Sequence, residues 1–207
     1  MPEKPDFDKE QVARLETRRQ ATGRQCGKCT MCCTLMGVDE PPHLTKPPNT
    51  KCQHCVPGKG CTIYERRPST CRGFYCQWLV DSTVDDTLYP LTAKIVTYIN
   101  EGGNLGFSVD PHRPDRWLQH PYFERISNLA LARGNTTLRV GKHWYVLLPR
   151  EVADGRRKGS IRWRANTVVQ FKPDWIGPPG YIKSPRGDFR WVEVIPPAEF
   201  FDAWRSG

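Results

Sequence analysis

The chain has 207 residues and carries 31 Lys and Arg against 22 Asp and Glu, a formal net charge of +9. Leu, Ile, Val and Phe number 43, about a fifth of the chain, so apolar burial alone supplies only a thin core; Gly plus Pro number 36, which means many turns without low-complexity disorder. No apolar run approaches the ~20 residues that cross a bilayer, and the charged start MPEKPDFDKEQVARLETRRQ holds no apolar signal core, so neither a membrane span nor a secretory leader is expected and the expected location is cytoplasmic.

Residues 1–7 read as a frayed end. Asp8 caps a predicted helix over 9–21, polar except for Val12 and Leu15, which Gly23 stops. Residues 26–80 hold every cysteine, and Pro41-Pro42 and Pro47-Pro48 bracket an extended loop in their middle. Beyond Pro68 the run 69–81 is predicted helical, broken or kinked near Gly73. A strand is predicted over 91–99, a turn at Gly102-Gly103-Asn104, and a second strand over 105–109. A helix follows, starting at Asp115 or near Pro121 and running to about Ala132. Phe123, Ile126, Leu129 and Ala130 mark its apolar face and Gly134 its stop. Residues 136–140 and 144–148 read as a hairpin around Gly141-Lys142. Candidate strands follow at 161–164, 167–171 and 189–195, then a short helix over 197–204. The expected fold class is α+β: a metal-organised cysteine domain with short helices over 1–84, and a basic, strand-rich α+β region over 85–207 packed on it.

Nine cysteines fall within the 51 residues 26–76 and none elsewhere. Disulfides in a secreted chain spread along its length, whereas clustered free thiols in a reducing compartment usually mean metal. The order is Cys26-x2-Cys29-x2-Cys32-Cys33, then Cys52-x2-Cys55-x5-Cys61-x9-Cys71-x4-Cys76. A CxxC turn aims two sulfurs at one point, half of a four-thiolate site. A helix over 28–37 would set Cys29 and Cys33 one turn apart, with Cys32 about 60° from Cys29 and Cys26 reaching in from the preceding loop. Cys71 and Cys76 lie about 140° apart on a regular helix; either the helix breaks at Gly73 or they serve different centres. Two closed four-cysteine zinc sites suit such a set. So does a [4Fe–4S] cluster wrapped by Cys26, Cys29, Cys32 and one of Cys71 or Cys76, the slightly preferred cofactor. If eight cysteines are thiolate ligands of two divalent ions, the formal +9 falls to about +5.

The segments CGKCTMCC at 26–33, CQHC at 52–55 and GCTIYERRPSTCRGFYC at 60–76, with Trp78-Leu79, resemble the CxxCxxCC zinc- or iron-chelating cysteine-cluster family. The resemblance spans about 55 of the 207 residues. That family includes the cysteine-cluster part of flagellin lysine N-methylase, for which an iron–sulfur cluster is implied. The resemblance implies that Cys26, Cys29, Cys32, Cys33, Cys55, Cys61, Cys71 and Cys52 or Cys76 are ligands. Family members commonly show Cys-Pro near the second cluster, where this chain has Cys52 followed by Gln53-His54. His54 reads as a loop residue. Tyr64 is expected to pack, and Arg66 or Arg72 to offset thiolate charge.

The leading function is therefore binding of zinc or an iron–sulfur cluster, structural or redox. A protein-modifying, methyltransferase-like metalloenzyme and a module that binds RNA, single-stranded nucleic acid or an acidic partner are the alternatives. The last rests on residues 139–190, whose 12 Lys and Arg against 4 Asp and Glu interleave with Trp144, Tyr145, Trp163, Phe171, Trp175, Tyr181 and Phe189. An aromatic core with a charged rim explains the same pattern, and no RNA-binding signature accompanies it. Gly102-Gly103 reads as a hairpin turn rather than a nucleotide loop, and Asp85-Asp86 and Asp115 as solvated surface.

Overall fold

The computed structural model describes residues 9–100, 102–149, 162–163, 167–168, 170–171, 182–184 and 187–195. The protein is α+β and divides into two units, Met1–Tyr98 and Ile99–Ser206. The frayed end, the Asp8 cap and the helix expected over 197–204 lie outside the described residues.

Helix α1 (Lys9–Thr22) opens the first unit, close to its predicted span. Its apolar stripe is narrow, so polar groups do much of the fastening. Arg18 Nε donates to the Val80 carbonyl at 3.1 Å, and the Thr22 hydroxyl donates to the Leu79 carbonyl at 2.7 Å. Just past the helix, Arg24 Nη1 donates to the carbonyls of Trp78 at 2.6 Å and Val84 at 2.8 Å, and its guanidinium lies 5.0 Å from the Trp78 ring centroid. One cation thus serves two backbone carbonyls far along the chain.

Helix α2 spans only Met31–Leu35, not the predicted 28–37. The chain first closes a turn, with the Cys29 N–H donating to the Cys26 carbonyl at 2.9 Å, and Gly27 there has φ +52°. A left-handed residue ends one conformation and delays the next, so Cys29 stands before the helix and Cys32 and Cys33 within it.

Strands β1 (Val38–Glu40) and β2 (Leu44–Lys46) pair antiparallel, so Pro41-Pro42 sits in a hairpin connection where an extended loop was expected. Strands β3 (Cys55–Val56) and β4 (Gly60–Cys61) form a second small hairpin, with Cys55 directly opposite Cys61. The expected break at Gly73 is complete. Helix α3 (Ser69–Arg72) ends with Gly73 as its cap, and α4 (Gln77–Val80) starts after Cys76. The predicted strand over 91–99 is half helix: α5 (Pro90–Ala93) comes first, Lys94 turns left-handed at φ 61°, and β5 (Ile95–Ile99) follows. Pro90 supplies the pre-set φ of a first helical turn, a signal that outweighs the β-branched pattern behind it. Leu35, Leu79, Val80, Val84, Leu88, Ala93, Ile95 and Val96 are buried and form the apolar interior of this unit.

The second unit is strand-rich. Strand β6 (Leu105–Val109) leads through α6 (Tyr122–Arg133) to β7 (Thr137–Val140), which pairs parallel with β6. A tight turn then gives β8 (His143–Pro149), antiparallel to β7. Short strands β9 (Arg162–Trp163) and β10 (Thr167–Val168) pair with each other. Strands β11 (Gln170–Phe171) and β12 (Ile182–Ser184) both pair with the long β13 (Gly187–Ile195), which lies antiparallel to β8. Phe107, Ile126, Leu138, Trp191 and Val194 fill the core. Trp117 stacks edge-on to Trp191 at 5.7 Å and lies 5.4 Å from Tyr145. Among the described residues no helix is long and apolar enough to cross a membrane.

Candidate metal centre

All nine cysteines are free thiols, and all lie in the first unit. Packing sorts them into two groups around α2. Cys26, Cys29, Cys32 and Cys76 line one small apolar pocket with Trp78 and Leu79. Cys29 is buried there against Met31, Leu35 and Val96, with Cys26 and Cys76 packed alongside. Cys52 and Cys55 are buried with Leu44 in a separate cluster, against which Cys33, Cys71 and Val38 pack. Cys61 belongs with this second group, since it faces Cys55 across the β3–β4 hairpin. Cys71 therefore stands with the second group and Cys76 with the first. Of the four sulfurs expected to converge, Cys26, Cys29 and Cys32 share the first pocket, while Cys33 packs with the second group and keeps its hydrogen-bond contact with Cys32.

Backbone bonds explain how distant segments meet. The Cys52 N–H donates to the Cys33 carbonyl at 2.9 Å, and the Cys55 N–H to the Cys52 carbonyl at 3.0 Å, so the second CxxC turn is tied to α2. Gly60 is left-handed at φ +92°, and a Cβ there would come 2.9 Å from the Gly27 carbonyl. Only glycine allows the hairpin to lie this close to the first CxxC loop. Glu40 reaches from β1 to the start of α3: its two oxygens accept from the N–H groups of Ser69 at 2.9 Å and Thr70 at 2.7 Å. Burial alone would raise the Glu40 carboxyl, but these two bonds prevail and hold it down at about 2. The helix so capped carries Cys71.

The two groups touch at the adjacent pair. The Cys32 thiol is hydrogen-bonded to both Cys26 and Cys33, and these bonds, together with burial, keep its proton on well above the usual range. The same bond from Cys32 lowers Cys26. It also brings Cys33 down to about 7, against burial and with help from Lys46 and Arg67. Burial pushes Cys29 and Cys71 up to about 11 and Cys76 to about 12. A thiol in so apolar a place gives up its proton only to a cation that replaces it.

Lys46 is that rare thing, a lysine only 6% exposed. Its ammonium donates to the carbonyls of Met36, of Thr50 at 2.8 Å and of Pro47 at 3.4 Å. Burial lowers its pKa, while the nearby Cys52 and Cys33 oppose that shift most strongly. Arg67 is the second cation felt by the sulfurs, acting on Cys26, Cys33, Cys61 and Cys71. Its guanidinium lies 3.7 Å from the centre of the Tyr64 ring, and that ring is 38% exposed rather than packed. Arg66 and Arg72, the cations favoured from sequence, are exposed. Lys46 carried no sequence signal; its neighbours Thr45 and Pro47 look like ordinary loop composition. His54 stands at an exposed contact with Gln53, 3.3 Å from its amide nitrogen.

Among the described residues no three His, Cys, Asp or Glu side chains are arranged in the geometry of a metal site. What the fold provides is the donor set and its grouping: soft sulfurs brought into packing and hydrogen-bond contact, with the buried Lys46 and the partly buried Arg67 beside them. That chemistry suits a thiophilic metal. No family model, no curated protein and no solved structure matches the chain.

The basic segment contributes less to a site. Trp144 is buried and Tyr145 packs on Trp117, so two of its rings serve the core of the second unit. Trp175, Tyr181 and the Arg156-Arg157-Lys158 run lie outside the described residues.

Proposed function

We propose that this chain is a metal-binding protein that holds zinc or an iron–sulfur cluster through its clustered cysteines, in a structural or redox role and in a reducing, cytoplasmic compartment. The observation that carries this reading is the grouping of nine free thiols from five separate segments around one short helix. Cys26, Cys29 and Cys32 with the remote Cys76 repeat the way chains wrap a [4Fe–4S] cube, which favours iron–sulfur slightly over zinc. A bound cluster would supply electron storage; a bound zinc would supply cross-linking of the fold. The chain's own residues do the rest. Trp78 and Leu79 give the first group an apolar wall, and Lys46 and Arg67 offset thiolate charge. The resemblance to the CxxCxxCC family belongs to the same proposal.

Anaerobic purification followed by elemental analysis and an absorption spectrum tests it. The expected result is at least about one equivalent of zinc or iron per folded chain, with broad absorption near about 400 nm if the metal is an iron–sulfur cluster. Folded chain holding well under about one equivalent of both metals would defeat the proposal.

A further inference from the structure

We infer that the nine cysteines form two separately loaded metal centres, divided between the adjacent residues Cys32 and Cys33. This rests on the metal-binding reading above and adds what the spacing left open, namely which sulfur serves which centre. The first centre takes Cys26, Cys29, Cys32 and Cys76; the second takes Cys33, Cys52, Cys55, Cys61 and Cys71.

Two independent features support the division. Packing is the first. The pocket lined by sulfurs of the first set includes none from the second, and the buried cluster around Leu44, Cys52 and Cys55 includes none from the first. The second is the break between two helices that separates Cys71 from Cys76. Gly73 ends α3, and Cys76 stands as the residue before α4, which Arg24 pins through the Trp78 carbonyl. Cys71 and Cys76 are thereby placed by different anchors, Glu40 for one and Arg24 for the other.

The test uses the full chain, stripped of metal under reducing, anaerobic conditions, and Zn(II) as the probe. Native mass spectrometry counts bound ions, and alkylation with peptide mapping shows which thiols are protected. Wild type is expected to take two ions. Cys76→Ser should take one and protect the Cys33, Cys52, Cys55, Cys61, Cys71 set. Cys52→Ser should take one and protect Cys26, Cys29, Cys32 and Cys76. Should a variant fail to fold, wild type at one equivalent of zinc still decides the matter, because each singly loaded chain should protect the whole of one set and none of the other. A single ion in wild type, loss of both ions on either substitution, or protection that mixes the sets would overturn the division while leaving the metal-binding reading intact. Wild type that takes up no zinc would overturn the division, while the zinc and iron analysis of natively purified protein decides the metal-binding reading.

Discussion

Replacing Glu40 by Gln keeps the side-chain shape but removes the charge and one of the two oxygens that cap α3. Glu40 Oε1 accepts from Ser69 and Oε2 from Thr70; a carboxamide can serve one of these donors and presents N–H to the other. The Glu40 carboxyl sits at about 2 rather than the ordinary 4.5, which caps its contribution at about 3 kcal/mol by linkage. Glu40 is partly exposed, and water compensates part of that, so the expected loss in Glu40→Gln is about 1–2 kcal/mol at pH 7. Urea unfolding followed by tryptophan fluorescence measures it, with an expected drop in midpoint of roughly 1 M. Because the folded pKa is depressed, the stabilisation is complete above about 4.5 and disappears as pH falls toward about 2. Both chains lose thiolate-bound metal together in acid, so the difference between them isolates Glu40. Equal midpoints at pH 7, or a difference that persists unchanged at pH 2, would refute the assignment of this carboxylate as the anchor of the Cys71 helix.

Three further substitutions probe other joints. Gly60→Ala places a Cβ 2.9 Å from the Gly27 carbonyl at φ +92°; a destabilisation of about 1–3 kcal/mol is expected from this strain, read as a lowered urea midpoint and faster alkylation of Cys61. Arg24→Met strands the Trp78 and Val84 carbonyls that Arg24 serves and should cost about 2–3 kcal/mol, with amide exchange rising in α4 but not in β13. In the second unit, the Trp191 indole N–H donates to the fully buried Ser127 hydroxyl at 2.9 Å. Ser127→Ala should cost about 1–3 kcal/mol by leaving that donor unpaired, and bound metal per chain should not change.

Much of the second unit was legible because hydrophobic period and turn chemistry agree there. The run from Phe123 to Ala130 repeats at helical spacing and ends at a glycine, and the chain folds it as α6. The stretch from residue 90 to 99 misled because Leu91 and the β-branched residues after Ala93 suggest one strand, whereas Pro90 and the left-handed Lys94 cut it in two. In the cysteine region the donors could be named from sequence, but not their partners. Cys71 and Cys76 are separated by the end of α3 at Gly73, which the sequence offered as one of two options. The length of α2 was hidden in the conformation of Gly27, which no side chain announces. The Glu40 cap and the buried Lys46 are contacts between β1 or β2 and residues far along the chain, so no local pattern encodes them.

Hydrogen exchange of the full chain with and without a strong chelator tests most directly whether metal holds the cysteine region together. The apolar residues of the first unit are few, and its sulfurs lie between segments rather than within one, so metal removal should expose the amides of residues 26–76. Those of β7, β8 and β13, packed around Leu138, Val146 and Trp191, should keep their protection. An exchange pattern over residues 26–76 that is the same with and without chelator, in protein shown to have lost its metal, would contradict the account.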